Sequence, residues 1–254
     1  YKKEGTPAAA DAWSTPPVID TIVAGTSYNF VAKIFDRNGY WLSRYENAAV
    51  SKPLISWAIT NRNGPGTPLD TLSGNSGHII SFKPTHAFNR LTITATFKDG
   101  TTSFTSSVNL YVIAGAATHL VIEANAQPTG ENLVKDSPID TVVFGSRDTT
   151  KYVYAILRDA NQNFVSQSRS TAWSSTNATL VGATEANALA GEGKLLRGTE
   201  SSGSASVTAT SKTNPAFTDN VAVKVINYTY DALRILVNND SAATNLQIKL
   251  GHDT

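Results

Sequence analysis

The chain has 254 residues, a formal net charge of +1 and neither cysteine nor methionine. The lack of cysteine excludes disulfide scaffolds, thiolate metal sites and cysteine nucleophiles. The near-neutral charge gives no general attraction for nucleic acid or acidic lipid, and no uninterrupted apolar stretch approaches the roughly 18 residues that a membrane-spanning helix needs. We therefore expect neither nucleic-acid binding nor membrane insertion.

Polar residues dominate the start of the chain, and residues 1–17 are interpreted as a linker. Beyond this segment, strand patterns prevail. Leu91–Phe97, Ala205–Ala209 and Val221–Val225 alternate between apolar and small or polar residues, which places one face of each strand on a core and the other in water. No window shows a convincing helical stripe; residues 183–190 predict at most one helical turn, and a loop is an equal alternative.

Several segments recur in the same order about 113 to 123 residues later. Val108–Val112 matches Val221–Val225, Trp57 matches Trp173, and Ile19–Val23 matches Ile139–Val143. Short strands separated by turn residues, in units of about 110 residues, are typical of a β-sandwich. The prediction is an all-β chain of tandem immunoglobulin-like sandwiches, with domain 1 over 18–114, domain 2 over 118–227, and the two tryptophans in the cores.

The two ends of the chain differ from a simple pair of repeats. Domain 2 opens with an apolar strand, Leu120–Ala124, whereas domain 1 has no counterpart to it in residues 1–17. Residues 231–254 resemble that opening, so they are either the first strands of a third copy or a tail donated to domain 1 of another chain. The donated strands would use two apolar faces, formed by Leu233, Ile235, Val237, Leu246, Ile248 and Leu250.

Four local motifs carry a resemblance to a known family. They are two Asp-x-Asn turns (Asp36-Arg37-Asn38 and Asp159-Ala160-Asn161), the Trp strand Thr171–Ser175 and the late strand Gly203–Thr210. In these motifs the chain resembles the bacterial immunoglobulin-like (Big) repeats of invasin- and intimin-type stalks, adhesins and surface-layer proteins. The resemblance implies a sandwich fold and a stalk or spacer role. Domain 1 departs from it by the longer segment 39–52 before its Trp strand.

An aromatic cluster within that longer segment is a candidate contact site. Tyr40, Trp41 and Tyr45 are not required by the shared core, and exposed aromatic residues often mark contact with a partner. Two alternatives stay open: Trp41 folds back over the edge of its own domain, or the cluster contacts a glycan or a protein.

Calcium is a second alternative, because hard oxygen ligands often cluster in the loops of extracellular sandwiches. The candidate ligands Asp136, Asp140, Asp148 and Asp159 lack EF-hand spacing. The favoured interpretation is that such aspartates stabilise turns, so we expect no cofactor.

No catalytic motif surrounds the four histidines, which we interpret as surface residues. The expected function is therefore a non-catalytic structural segment of a secreted or cell-surface bacterial protein, a stalk, fibre or surface-layer repeat. Its expected partners are copies of itself or adjacent domains of a longer chain. The alternative is a carbohydrate-binding module that uses the domain 1 aromatics.

Overall fold

The computed structural model describes residues 20–40, 42, 55–61, 64, 70–227, 233–235 and 246–248. Its strands are β1 (Asp20–Val23), β2 (Tyr28–Val31), β3 (Ile55–Asn61), β4 (Ile79–Phe82), β5 (Arg90–Asp99), β6 (Thr102–Ile113), β7 (His119–Glu123), β8 (Thr141–Phe144), β9 (Thr150–Arg158), β10 (Phe164–Gln167), β11 (Thr171–Ser175), β12 (Val181–Asn187), β13 (Glu192–Arg197), β14 (Gly203–Ser211), β15 (Thr218–Val225), β16 (Leu233–Ile235) and β17 (Leu246–Ile248). Within these residues, 3-10 turns occupy Gly130–Leu133 and Ala188–Ala190.

Two sandwiches follow one another along the chain, each with its own buried cluster. In the first, one sheet has the order β1-β6-β5-β3 and β2 pairs with β4. In the second, one sheet has the order β8-β15-β14-β11, and the other contains β10, β9, β13 and β12, with β7 paired to β9. The predicted fold class, all-β with tandem immunoglobulin-like sandwiches, is confirmed.

Strand registers show which positions of the two sandwiches are equivalent. Trp57 lies opposite Ala95 on β5, and Trp173 lies opposite Ala209 on β14. Each tryptophan also packs in or against the core of its own sandwich. The predicted core role of both tryptophans is confirmed.

The register of β1 corrects one predicted alignment. Ile22 pairs with Val112, and Phe144 pairs with Val225. Because Val112 matches Val225, Ile22 is equivalent to Phe144 and not to Val142, which the sequence alignment had matched with it. The shift is two residues, and a strand repeats its facing every two residues, so the same face still points inward.

Alternation along β15 shows how the sequence produces the core. Val221, Val223 and Val225 are buried, whereas Ala222 and Lys224 are exposed. β-branched residues fit this pleated, half-buried surface.

The segment 183–190, predicted as a helical turn or a loop, continues β12 to Asn187 and then forms the 3-10 turn. Gly191, which follows it, has a φ of +61°, a left-handed conformation that glycine adopts without steric cost.

Membrane insertion was not expected from the sequence. Within the parts of the chain given above, no helix is long and apolar enough to cross a bilayer.

Candidate functional site: the junction between the two sandwiches

Five residues, 114–118, connect β6 of the first sandwich to β7 of the second. The backbone N–H of Gly115 donates a hydrogen bond of 2.8 Å to Oδ2 of Asp159. Asp159 is 1% exposed, so this bond is shielded from water. A hydrogen bond to an ionised carboxylate is stronger than one between neutral groups. The linker is therefore held against the second sandwich by a buried charge.

The Asp159 carboxylate is fixed by its own turn. Its Oδ1 accepts hydrogen bonds from the backbone N–H of Asn161 at 2.8 Å and of Asn163 at 3.0 Å. The side-chain amide of Asn163 donates to the same carboxylate, at 2.9 Å to Oδ2. The predicted Asp-x-Asn turn is confirmed here, where it orients both Asp159 and Asn163.

Asn163 reaches across the junction to the first sandwich. Its Nδ2 donates to the carbonyl oxygen of Thr85 at 2.9 Å, and its Oδ1 accepts from the backbone N–H of Ala87 at 2.9 Å. Asn163 and Ala87 are both fully buried. One amide side chain thus satisfies a donor and an acceptor of the neighbouring sandwich. Removing it would leave a buried N–H unpaired, which costs about 1–3 kcal/mol.

The surface that Asn163 binds is itself fixed by a buried carboxylate, Asp70. Asp70 Oδ1 accepts from the backbone N–H of Thr85 at 2.8 Å and from its hydroxyl at 2.6 Å. The same oxygen lies 3.2 Å from Nδ1 of His86. The loop at 85–87 therefore presents its backbone groups to Asn163 in a defined orientation.

The close approach of the two sandwiches at the junction depends on two glycines, Gly25 and Gly115. Gly25 has a φ of +82°, and a Cβ added there would lie 2.8 Å from Nδ2 of Asn161. A Cβ on Gly115 would lie 3.3 Å from the carbonyl oxygen of Ala24. The first position requires glycine both for its left-handed backbone and for the space that Asn161 fills.

Directly beside the Asp159 turn, a buried ion pair joins β7 to β9. Arg158 is 0% exposed, and its Nε and Nη2 each lie 2.6 Å from Oε1 of Glu123. Its remaining donors bind the carbonyl oxygens of Gln162 at 2.7 Å and Asn132 at 2.9 Å. Burial raises the pKa of Glu123, and the Arg158 charge opposes that shift. The pair stabilises the end of β9 from which the junction turn begins.

Sequence reasoning missed most of this site. It interpreted Asp159 and Asp70 as residues of turns or strand ends, but it did not predict Asn163 or the Glu123–Arg158 pair. The strand pattern gave no signal for the ion pair, because Arg158 shares its parity with the exposed Tyr152 and not with the core residues Val153 and Ala155.

The predicted aromatic cluster lies only partly within the structure. Tyr40 is half-buried, and its backbone N–H donates to Oδ1 of Asp36 at 2.9 Å, beside the same bond from Asn38. The second predicted Asp-x-Asn turn is thereby confirmed. Trp41 and Tyr45 lie outside the described residues, so the cluster stays a prediction.

Two of the candidate calcium ligands have other partners in the structure. Asp148 accepts a hydrogen bond from the backbone N–H of Gly145 at 2.9 Å and lies 3.0 Å from Nζ of Lys151. Asp159 binds the N–H of Gly115 at the junction. Over the described ranges, no group of three or more His, Cys, Asp and Glu residues could hold a metal ion.

Two of the histidines that were predicted to be surface residues, His86 and His119, are half-buried and have polar partners. The predicted linker 1–17, Val237, Leu250 and His252 lie outside the structure's described ranges.

Comparison with known proteins finds general similarity only. No protein-family model matches the chain, and no curated protein does so. Among solved structures, domains 5–6 of the S-layer protein SbsC are 17% identical with a TM-score of 0.32, covering 83% of this chain and 94% of that one. The Escherichia coli adhesin FdeC is 17% identical with a TM-score of 0.36, covering 85% and 64%.

An endo-fucoidan hydrolase of glycoside hydrolase family 107 is also similar, at 17% identity and a TM-score of 0.30. The comparison covers 89% of this chain, which spans only 30% of that enzyme. Similarity at this level supports no inference about catalysis or binding.

Proposed function

We propose that this chain is a non-catalytic structural segment of a secreted or cell-surface bacterial protein. In this proposal it is part of a stalk, fibre or surface layer, where sandwiches of immunoglobulin-like fold hold other elements at a fixed distance. We further propose that chains associate head to tail by donating the apolar segment 233–237. An adhesin and an S-layer protein are among the similar structures, but the proposal rests on the junction.

The observation that carries the proposal is the way Asn163 and Asp159 join the sandwiches. A flexible linker would leave its backbone groups in water. Here the linker N–H of Gly115 and the loop N–H of Ala87 both end on buried side chains of the second sandwich. Such bonds fix the angle between neighbouring sandwiches, which is what a spacer requires.

The opposite end of the first sandwich carries a related turn. Asp36 binds the N–H of Tyr40, as Asp159 binds the N–H of Asn163. Tyr40 therefore occupies the position from which Asn163 contacts its neighbour. We propose that Tyr40 faces whatever unit packs against this end.

Small-angle scattering of the full chain tests the spacer role. We expect one conformation to fit the wild-type curve, and Asn163→Ala to require an ensemble of interdomain angles. Asn29→Ala removes the same amide from an exposed position on β2 and should leave the curve unchanged. A wild-type ensemble as broad as that of Asn163→Ala would contradict the proposal.

A glycan array tests the alternative function. The structural proposal expects no specific signal from the wild-type chain. Saturable binding that Tyr40→Ala abolishes would favour a carbohydrate-binding module instead.

A further inference from the structure

We infer that the second sandwich carries tension along the chain through a clamp formed by β7, β8 and β15. The inference rests on the stalk role proposed above, and it adds that the segment resists a pull as well as fixing a distance. Force arriving through the linker would reach the second sandwich at its first strand, β7, and leave it at the end of its last strand, β15.

The strand directions place the points of force entry and exit at opposite ends of the sandwich. β7 runs antiparallel to β9, and His119 lies opposite Arg158, where β9 reaches the junction. β15 runs parallel to β8, and β8 leads through residues 145–149 to the start of β9, at the end away from the junction. A pull on the chain therefore acts along these strands and not across them.

The parallel pair of β8 and β15 is the element that such a pull loads in shear. Its register places Thr141 opposite Ala222 and Phe144 opposite Val225, and the N–H of Ile226 donates to the carbonyl oxygen of Phe144 at 2.8 Å. β8 is pulled at its first residue and β15 at its last, so the evenly spaced hydrogen bonds of the pair share the load. They must break together, whereas strands pulled apart at one end lose their bonds one at a time.

The first sandwich contains the same parallel pair. β1 runs parallel to β6, with Asp20 opposite Leu110 and Val23 opposite Ile113. The N–H of Ala24 donates to the carbonyl oxygen of Ile113 at 2.9 Å. A load that passes from one sandwich to the next therefore meets a shear-loaded pair in each.

One carboxylate joins the strand that receives the force to the strand that passes it on. Oδ2 of Asp219 on β15 accepts a hydrogen bond from the N–H of Ile122 on β7 at 2.8 Å. The carbonyl oxygen of Ile122 accepts from the N–H of Ile139, which leads into β8, at 3.1 Å. A hydrogen bond to an ionised carboxylate is stronger than one between neutral groups. β7 cannot slide along the sandwich unless the bond to Asp219 breaks.

The buried ion pair holds the next residue of β7. Glu123 is 2% exposed and Arg158 is 0% exposed, so water does not reach their contact to replace it. Arg158 also donates to the carbonyl oxygen of Asn132, in the segment between β7 and β8. Both ends of that segment's load path are therefore anchored, β7 on β9 and β8 on β15.

The direction of pulling tests the clamp. Because the chain contains no cysteine, engineered cysteines at exposed positions give defined attachment points in the full-length chain. Handles on Ala116→Cys and Asn227→Cys load the clamp in shear, whereas handles on Arg147→Cys and Asn227→Cys pull β8 and β15 apart from one end.

Forced unfolding is governed by the unfolding rate, which optical tweezers measure at a constant force. We expect the second sandwich to unfold about tenfold or more slowly with handles at 116 and 227 than with handles at 147 and 227. Equal rates, or faster unfolding from 116 and 227, would overturn the inference.

Matched variants test the part that Asp219 takes. With handles at 116 and 227, Asp219→Ala should speed unfolding about tenfold, because the N–H of Ile122 loses its partner. Asp148→Ala removes the same kind of bond from the N–H of Gly145, outside the loaded strands, and should have a much smaller effect.

The second pulling direction separates a load-bearing bond from one that merely stabilises the fold. With handles at 147 and 227, β7 lies outside the load path, so Asp219→Ala should speed unfolding less than it does with handles at 116 and 227. An equal effect in both directions would overturn the role of Asp219. The scattering prediction for Asn163→Ala is independent of these rates, so failure of the clamp and failure of the spacer role are distinguishable.

Discussion

The two sandwiches share the order of four strands in one sheet, but they carry very different residues at the position before the Asp-x-Asn turn. The residue before the Asp-x-Asn turn is Arg158 in the second sandwich and Phe35 in the first. Arg158 is buried because β7 brings Glu123 to it. Phe35 is half-buried, and its side chain carries no charge. The comparison shows that a strand added at one edge decides which residues can be buried on the strand next to it.

Replacing Arg158 should lower the free energy of unfolding more than any other substitution proposed below. Arg158→Ala leaves Glu123 buried without its cation, and breaking a buried pair from one side costs about 3–5 kcal/mol. Urea unfolding should show the loss in the transition of the second sandwich, with the first unaffected. The double variant Glu123→Gln/Arg158→Met should recover part of the loss. A single-variant loss below about 1 kcal/mol would contradict the described pairing.

The second sandwich also seats its tryptophan over a glycine. A Cβ on Gly193 would lie 2.5 Å from Cε2 of Trp173, so Gly193→Ala should displace the ring and cost about 1–3 kcal/mol. Gly182→Ala is the matched control, because the nearest atom to its Cβ is 4.0 Å away. Equal effects of the two substitutions on thermal unfolding would show that Trp173 does not pack on Gly193.

The two core tryptophans differ in their polar contacts. Trp57 Nε1 donates to the carbonyl oxygen of Gly77 at 2.6 Å, whereas the buried Nε1 of Trp173 has no hydrogen-bond partner in the structure. Trp57→Phe should therefore destabilise its sandwich by about 1 kcal/mol more than Trp173→Phe does. Chemical denaturation followed by circular dichroism would measure both. A larger loss at Trp173 would reverse the comparison.

Acid titration gives the smallest expected effect. The hydrogen bond from Lys212 lowers the pKa of Glu185, and the N–H of Thr171 lowers it further. The folded state then binds this proton less readily, so the stabilisation is present above the unfolded pKa near 4.5 and is lost as pH falls through the folded value. Glu185→Gln should remove this contribution to the pH dependence of the free energy of unfolding, which amounts to less than about 1 kcal/mol. An unchanged pH profile would contradict the role of Glu185.

The sequence predicted best those features that depend only on neighbouring residues. Alternation predicted β5, β14 and β15, and Asp-x-Asn predicted two turns, because neighbouring residues alone determine both features. Asn163 escaped prediction because its partners Thr85 and Ala87 are more than 70 residues away. The two-residue shift of β1 escaped because both registers present the same face inward.

The claim on which the account depends is that Asn163 and Asp159 hold the two sandwiches at one angle. Spin labels at Ser103→Cys and Ser204→Cys, both exposed strand positions, would report the interdomain distance by double electron–electron resonance. We predict one narrow distance distribution for this pair, which broadens when Asn163→Ala is added. A broad distribution before that substitution, or a narrow one that Asn163→Ala leaves unchanged, would contradict the claim.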